Sequence, residues 1–139
     1  MNEYKFSDLQ IGEEASFDVQ ITDEMMHQFL SVSGDSNPLH QDPAYAHERG
    51  FKDRVVYGFL TSALYSTLIG VHLPGKHALL QSVKKINFLK PVYIGDHLTI
   101  KGKVTQICEA VKVVEVKAWI SNQEKIIVSD AILSAGLFV

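Results

Sequence analysis

The sequence predicts an α+β fold in which one long apolar helix is wrapped by a curved antiparallel sheet. Three observations carry the prediction. One alternating segment comes first, helix patterns fill residues 22–69, and strand patterns dominate after the turn at residues 73–76. Runs of helices followed by runs of strands give this class rather than a parallel sheet. With 139 residues the chain reads as a single domain, 1–139, able to bury roughly two thirds of its unfolded surface without a disulfide or metal staple.

Each element has its own signal. In residues 15–21, Phe17, Val19 and Ile21 alternate with polar residues, the period of a half-buried strand. Thr22 then reads as a helix cap, with Asp23 and Glu24 in a first turn where the helix dipole favours acids. Met25, Met26, Phe29, Leu30 and Val32 give this helix an apolar side, and Ser33-Gly34 ends it. Asp42-Pro43 starts a short helix that runs to Arg49 and stops at Gly50. Residues 58–69 are apolar nearly all round, so they are expected to form a helix buried on most sides, with Gly70 just past its end. Strands are expected at about 79–89, 96–108, 111–121 and 125–135, running as a meander through turns at Tyr93-Ile94-Gly95-Asp96, Glu109-Ala110 and Asn122-Gln123.

Composition removes several function classes. A 46% hydrophobic, 21% charged chain with net charge -3 and scattered signs is an ordinary globular composition without the basic face that binds nucleic acid. No apolar run approaches the ~18 residues of a membrane span. The single cysteine, Cys108, cannot form an internal disulfide, which points to a reducing compartment; its alternating segment places it in a strand core. The first ten residues are polar and mixed, unlike a secretory leader, and a cytoplasmic location is expected. His27, His47, His72, His77 and His97 form no set with metal-ligand spacing, and His72 and His77 are expected at the surface. Phosphate-loop, dinucleotide and nucleophile-elbow motifs are absent.

The chemistry concentrates in Ser33-Gly34-Asp35-Ser36-Asn37-Pro38-Leu39-His40. A carboxylate and an imidazole stand five residues apart on backbone that a glycine and a proline are expected to hold out of regular structure. Pro38 fixes its own φ and extends Asn37, whose side chain can bond neighbouring backbone and lock the loop. An imidazole beside a carboxylate can bind and deprotonate a water at neutral pH.

This string, with the following Asp42-Pro43-Ala44-Tyr45-Ala46, resembles the MaoC-like dehydratases, the (R)-specific enoyl-CoA hydratases of hot-dog fold. Three further blocks occur in order: residues 54–60, Leu73-Pro74-Gly75, and residues 87–96. The resemblance implies that Asp35 and His40 activate the water added across a trans-2-enoyl thioester. It also implies that the backbone N–H of Gly58 binds the thioester oxygen and that Ser66 lies near the active site. Gly58 opens the apolar helix, where unpaired N–H groups favour developing negative charge. Ser66 is two turns along on about the same face; its hydroxyl can equally bond back to its own helix. One departure stands out: the family commonly has His-Gly-Met where this chain has Tyr57-Gly58-Phe59. Tyr57 is therefore expected to reshape the pocket, and Phe59 reads as a core aromatic.

The implied function is a hydro-lyase hydrating 2-enoyl thioesters to (R)-3-hydroxyacyl thioesters, or the reverse dehydration. Asn37 joins the candidate substrate-binding set with Gly58, Ser66 and Tyr57. No metal or separate cofactor is expected, coenzyme A or an acyl carrier being part of the substrate. The resemblance also implies a homodimer or a multiple of one. Two alternatives stand beside this reading: a hot-dog thioesterase, and a non-catalytic acyl-thioester-binding module.

Overall fold

Alternation of apolar and polar residues decides how this chain layers. The computed structural model describes residues 1–139. Strand β1 (Glu14–Gln20) comes first and turns Ala15, Phe17 and Val19 inward. Helices α1 (Asp23–Ser33), α2 (Pro38–Gln41), α3 (Pro43–Glu48) and α4 (Gly58–Thr67) follow. Strands β2 (Ala78–Phe88), β3 (His97–Cys108), β4 (Val113–Ser121) and β5 (Ile127–Leu137) complete the chain.

The five strands make one antiparallel sheet in the order β1-β3-β4-β5-β2. The expected four-strand meander is thus correct only for β3-β4-β5. Strand β1 already pairs with β3 from Glu14 opposite Lys103 to Gln20 opposite His97, so β3 has no edge left for β2. Strand β2 instead pairs with β5 at the far edge, from Ala78 opposite Leu137 to Phe88 opposite Ser129. The curved sheet wraps α4, the arrangement expected of a hot-dog fold.

Helix α4 departs from the expectation in two ways. Beyond Thr67 the backbone does not stop at Ile69 but widens into a π turn, Leu68–His72, that passes through Gly70. The helix is also less enclosed than its composition implied. Thr61, Tyr65, Leu68 and Ile69 are buried, whereas Ala63 and Ser66 are exposed and Phe59 is 72% exposed rather than a core aromatic. Leu68 reaches the sheet because Gly102 has no side chain: a Cβ there would lie 2.8 Å from Leu68 Cδ2 and 3.0 Å from Val116 Cγ1.

A β-bulge moves Cys108 out of the core. Leu98, Ile100, Gly102 and Val104 face inward, but the β3–β4 register slips between Val104 and Gln106. One extra residue reverses the facing of everything after it. Ile107 therefore packs against the core and Cys108 is exposed. His72 is likewise not a solvent histidine: it is half-buried in the π turn and stacks on Phe17 at 4.4 Å between ring centroids, 7° from parallel. Burial lowers its pKa. No helix is long and apolar enough to cross a membrane.

Candidate active site

The segment between α1 and α2 is built by short side-chain caps. Gly34 ends α1 in the left-handed region at φ 70°, and its N–H donates to the Leu30 carbonyl. Ser33 Oγ donates to the Phe29 carbonyl at 2.7 Å and accepts from Asp35 N–H at 3.1 Å. Asp35 Oδ1 accepts from Asn37 N–H at 3.1 Å, and Asn37 Oδ1 accepts from Leu39 N–H at 2.9 Å. Asn37 is the N-cap of α2 and Pro38 its first residue. His40 accordingly sits on a one-turn helix rather than on irregular backbone. Proline pre-sets the φ of a first helical turn and asparagine satisfies its orphan N–H, so the residues expected to break structure here start it instead.

His40 is fixed from behind. Its Nδ1 lies 2.7 Å from the Val55 carbonyl oxygen. A carbonyl only accepts, so Nδ1 carries the proton and the neutral ring presents a bare Nε2. Val55 N–H returns a bond to the Leu39 carbonyl at 3.1 Å, strapping the 54–57 segment to α2. Arg54 ties the same segment to α1 through Asp23 at 2.8 Å. That hydrogen bond holds the Asp23 carboxyl below its usual range.

On the open side, His40 Nε2 is 3.9 Å from Asp35 Oδ2. This is too far for a direct hydrogen bond and close enough for one water to donate to both. The His40 side chain is 14% exposed and that of Asp35 47% exposed, so the pair faces outward from a packed floor. Tyr57 forms that floor. It is 2% exposed, stacks on His40 at 4.2 Å and 29°, and packs against Phe29 at 4.7 Å. Tyr57 Oη donates to the Asp35 carbonyl at 2.9 Å. Burial first, and then the Asp35 charge, raise the Tyr57 pKa, which keeps the phenol protonated as a donor.

Gly58 begins α4 immediately after Tyr57. Its N–H has no acceptor within the helix it opens and none elsewhere in the chain. Two cavities meet there. One, of about 310 Å³, is lined by His40, Gly58, Thr61, Val128 and Ser129 among others. The other, of about 320 Å³, is lined by Asp35, Tyr57, Gly58 and Phe59 among others. Phe88 lines both and stands against Gly58: a Cβ at position 58 would meet its ring at 3.0 Å.

The structure thus brings Asp35, His40, Asn37, Tyr57 and Gly58 together. Ser66 is not among them. It is exposed on α4 and lines neither cavity. The back-bond considered for Ser66 is made by Ser62, whose Oγ donates to the Gly58 carbonyl at 2.9 Å. Sequence reasoning missed Val55, because a carbonyl contact carries no side-chain signature. It also missed Thr61, for which a signal existed: a small hydroxyl one turn after Gly58, on the inward side of the helix with Tyr65. Phe88 falls in the block of residues 87–96, where nothing in its residue type marks a place beside Gly58.

An antiparallel sheet wrapped on a helix defines a hot-dog protein, and a carboxylate and an imidazole beside that helix's unpaired first amide give it a candidate site for proton chemistry. The profile of the MaoC like domain matches residues 7–125, and the chain belongs to the MaoC-like dehydratase family. It is 35% identical over 101 residues to an (R)-specific enoyl-CoA hydratase from Aeromonas caviae, covering 73% of this chain and 75% of that one. An (R)-specific enoyl-CoA hydratase from Rhodospirillum rubrum is 30% identical over 123 residues, covering 88% and 85%. The solved structure of an (R)-hydratase from Aeromonas caviae involved in PHA biosynthesis superimposes with a TM-score of 0.88 at 29% identity, covering 93% of this chain and 97% of that one. These likenesses support, at the level of the family, hydratase or dehydratase activity on acyl thioesters.

Proposed function

We propose that this protein hydrates trans-2-enoyl thioesters to (R)-3-hydroxyacyl thioesters and catalyses the reverse dehydration. The observation that carries the reading is the 3.9 Å gap between Asp35 Oδ2 and His40 Nε2, beside a cavity shared by His40 and Gly58. A water in that gap donates one hydrogen to each group and turns its lone pair toward the substrate β-carbon. The Gly58 N–H donates to the thioester oxygen and polarises the conjugated double bond. Oriented donors of this kind are worth roughly 3–4 kcal/mol of transition-state stabilisation.

The tautomer divides the labour. His40 Nε2 takes the water proton as the oxygen–β-carbon bond forms, and the π electrons move to the oxygen held by Gly58. The Asp35 carboxylate orients the water and stabilises the imidazolium. Collapse of the enolate then takes the proton from Nε2 to the α-carbon on the same face, restoring neutral His40. Water is added with every proton accounted for. Asn37 holds Asp35 Oδ1 in place, and Tyr57 is a positioning residue that supports both members of the pair. Ser66, exposed on α4, is left for contact with the substrate or a second copy.

The working unit we propose is a homodimer. Strand β2 is an edge strand, and Leu79, Val83 and Phe88 on it are 55%, 46% and 52% exposed. Phe59 on α4 packs edge-on to Phe88 at 6.1 Å, so an apolar strip runs from the sheet edge to the helix. Apolar edges of this kind call for a covering partner.

The test is incubation with crotonyl-CoA, following loss of the conjugated enoyl absorbance and resolving the product's chirality. The (R)-3-hydroxy product supports the reading. Formation of the (S) product, or thiol release from saturated acyl-CoA without hydration, overturns it.

A further inference from the structure

Thr61 Oγ1 is the one buried side-chain polar atom in the chain with no hydrogen-bond partner. Thr61 is 3% exposed and lines the cavity it shares with His40 and Gly58. Buried hydroxyls are ordinarily paired, and an orphan that lines a cavity is open to a ligand oxygen. A helical threonine would normally turn its hydroxyl to the carbonyl four residues back; here that carbonyl, on Tyr57, already receives the N–H groups of Leu60 and Thr61.

A second hydroxyl stands on the same wall. Ser129 is fully buried and accepts a hydrogen bond from Tyr65 Oη at 2.8 Å, while its own O–H makes no bond within the chain. The remaining lining includes Phe51, Val55, Val56, Val92 and Val128. The cavity is therefore an apolar slot with two under-used hydroxyls, not a uniform hydrocarbon sleeve.

Position sets which substrate atom they meet. Thr61 follows Gly58 by three residues, about 4.5 Å along the helix axis. Resting on the proposed function, a thioester whose carbonyl oxygen sits at the Gly58 amide and whose β-carbon faces His40 extends its next carbons along this wall. We propose that this site selects acyl thioesters bearing a hydrogen-bonding oxygen one or two carbons beyond the β-carbon, with Thr61 as the selecting residue. A helical threonine has two χ1 wells open to it, so its hydroxyl is free to turn to such an oxygen. A chain with only hydrogens there leaves the hydroxyl unpaired.

The test uses saturated, non-reacting ligands, so that binding is read apart from turnover. Affinities of the intact protein are measured by calorimetry for two matched pairs: 4-oxopentanoyl-CoA against 4-methylpentanoyl-CoA, and 5-oxohexanoyl-CoA against 5-methylhexanoyl-CoA. The oxo ligand is expected to bind about tenfold more tightly in at least one pair. Thr61→Val is expected to reverse that preference, and Thr61→Ser to keep it. Preference for the methyl ligand in both pairs overturns the inference, as does binding of neither, or a ratio that Thr61→Val leaves unchanged. The wild-type and Thr61→Ser ratios decide the matter if Thr61→Val does not fold. Crotonyl-CoA hydration by the same preparation tests the underlying function separately, because its loss leaves the binding ratios readable.

Discussion

Tyr57 Oη donates to the main-chain carbonyl of Asp35 at 2.9 Å while the face of the same ring stacks on His40 at 4.2 Å. One buried side chain thus touches both members of the proposed acid–base pair and precedes the Gly58 amide by a single residue. Misplacing catalytic groups by an ångström can cost about a hundredfold in rate. Removing only the hydroxyl should cost less, because the stack remains. Tyr57→Phe is expected to lower kcat for enoyl-CoA hydration by about tenfold and to change KM by less than about twofold. Steady-state kinetics at several substrate concentrations check this; an unchanged kcat removes Tyr57 from the positioning role.

Gly58 has a spatial reason to be glycine. An added methyl would press the Phe88 ring at 3.0 Å, and that ring is half exposed and able to swing. Alanine is also the better helix former, by about 1 kcal/mol. Gly58→Ala is therefore expected to fold with a melting temperature within a few degrees of the parent. Its hydration rate should fall at least tenfold, because the displaced ring closes on the unpaired amide. Thermal melts paired with kinetics separate the two effects.

Burial gives the protein an alkaline weakness. Tyr65 is 2% exposed, and burial lifts its phenol to about 12, from an ordinary value near 10. Folding favours the protonated phenol, so this contribution is complete below about pH 10 and lost as pH rises toward 12. Integrated over that window it amounts to about 2–3 kcal/mol. Tyr65→Phe should be less stable near pH 8, through loss of the bond to Ser129, and should close most of that gap by pH 12. Urea melts at several pH values measure it; parallel curves for the two proteins would contradict it.

If β2 is the dimer edge, a charge in its middle should split the assembly. Val83 is 46% exposed and pairs with Leu133 of β5 on the inner side only. Val83→Glu is expected to sediment at the mass of one chain, where the parent sediments at two. A parent of one-chain mass overturns the dimer, and a variant that stays dimeric moves the interface elsewhere.

What the sequence made legible follows from which physics is local. Thr22, Gly34 and Asp42 act on their own neighbours, and the α1 cap, its left-handed end and the start of α3 fall where those residues stand. Asp35 and His40 were legible because one short segment carries both. The place of β2 was not legible, since strand order depends on which edges remain open after β1 has paired. Alternation also misplaced Cys108, because the bulge after Val104 reverses the facing of side chains and leaves no residue-type signal. The apolar count of α4 suggested burial on most sides, yet Phe59, Ala63 and Ser66 face outward. Apolar composition reports a need for cover and does not tell whether the cover comes from the same chain.

The central claim is that Asp35 and His40 hold one water between them for addition beside Gly58. The most direct measurement is crotonyl-CoA hydration by Asp35→Asn and by His40→Gln, with circular dichroism and melting temperature recorded on the same samples. Each variant keeps the size of the parent side chain and removes its proton chemistry. The account predicts a loss of at least about a hundredfold in kcat for each, with folding intact. Near-parental turnover in either folded variant would contradict it.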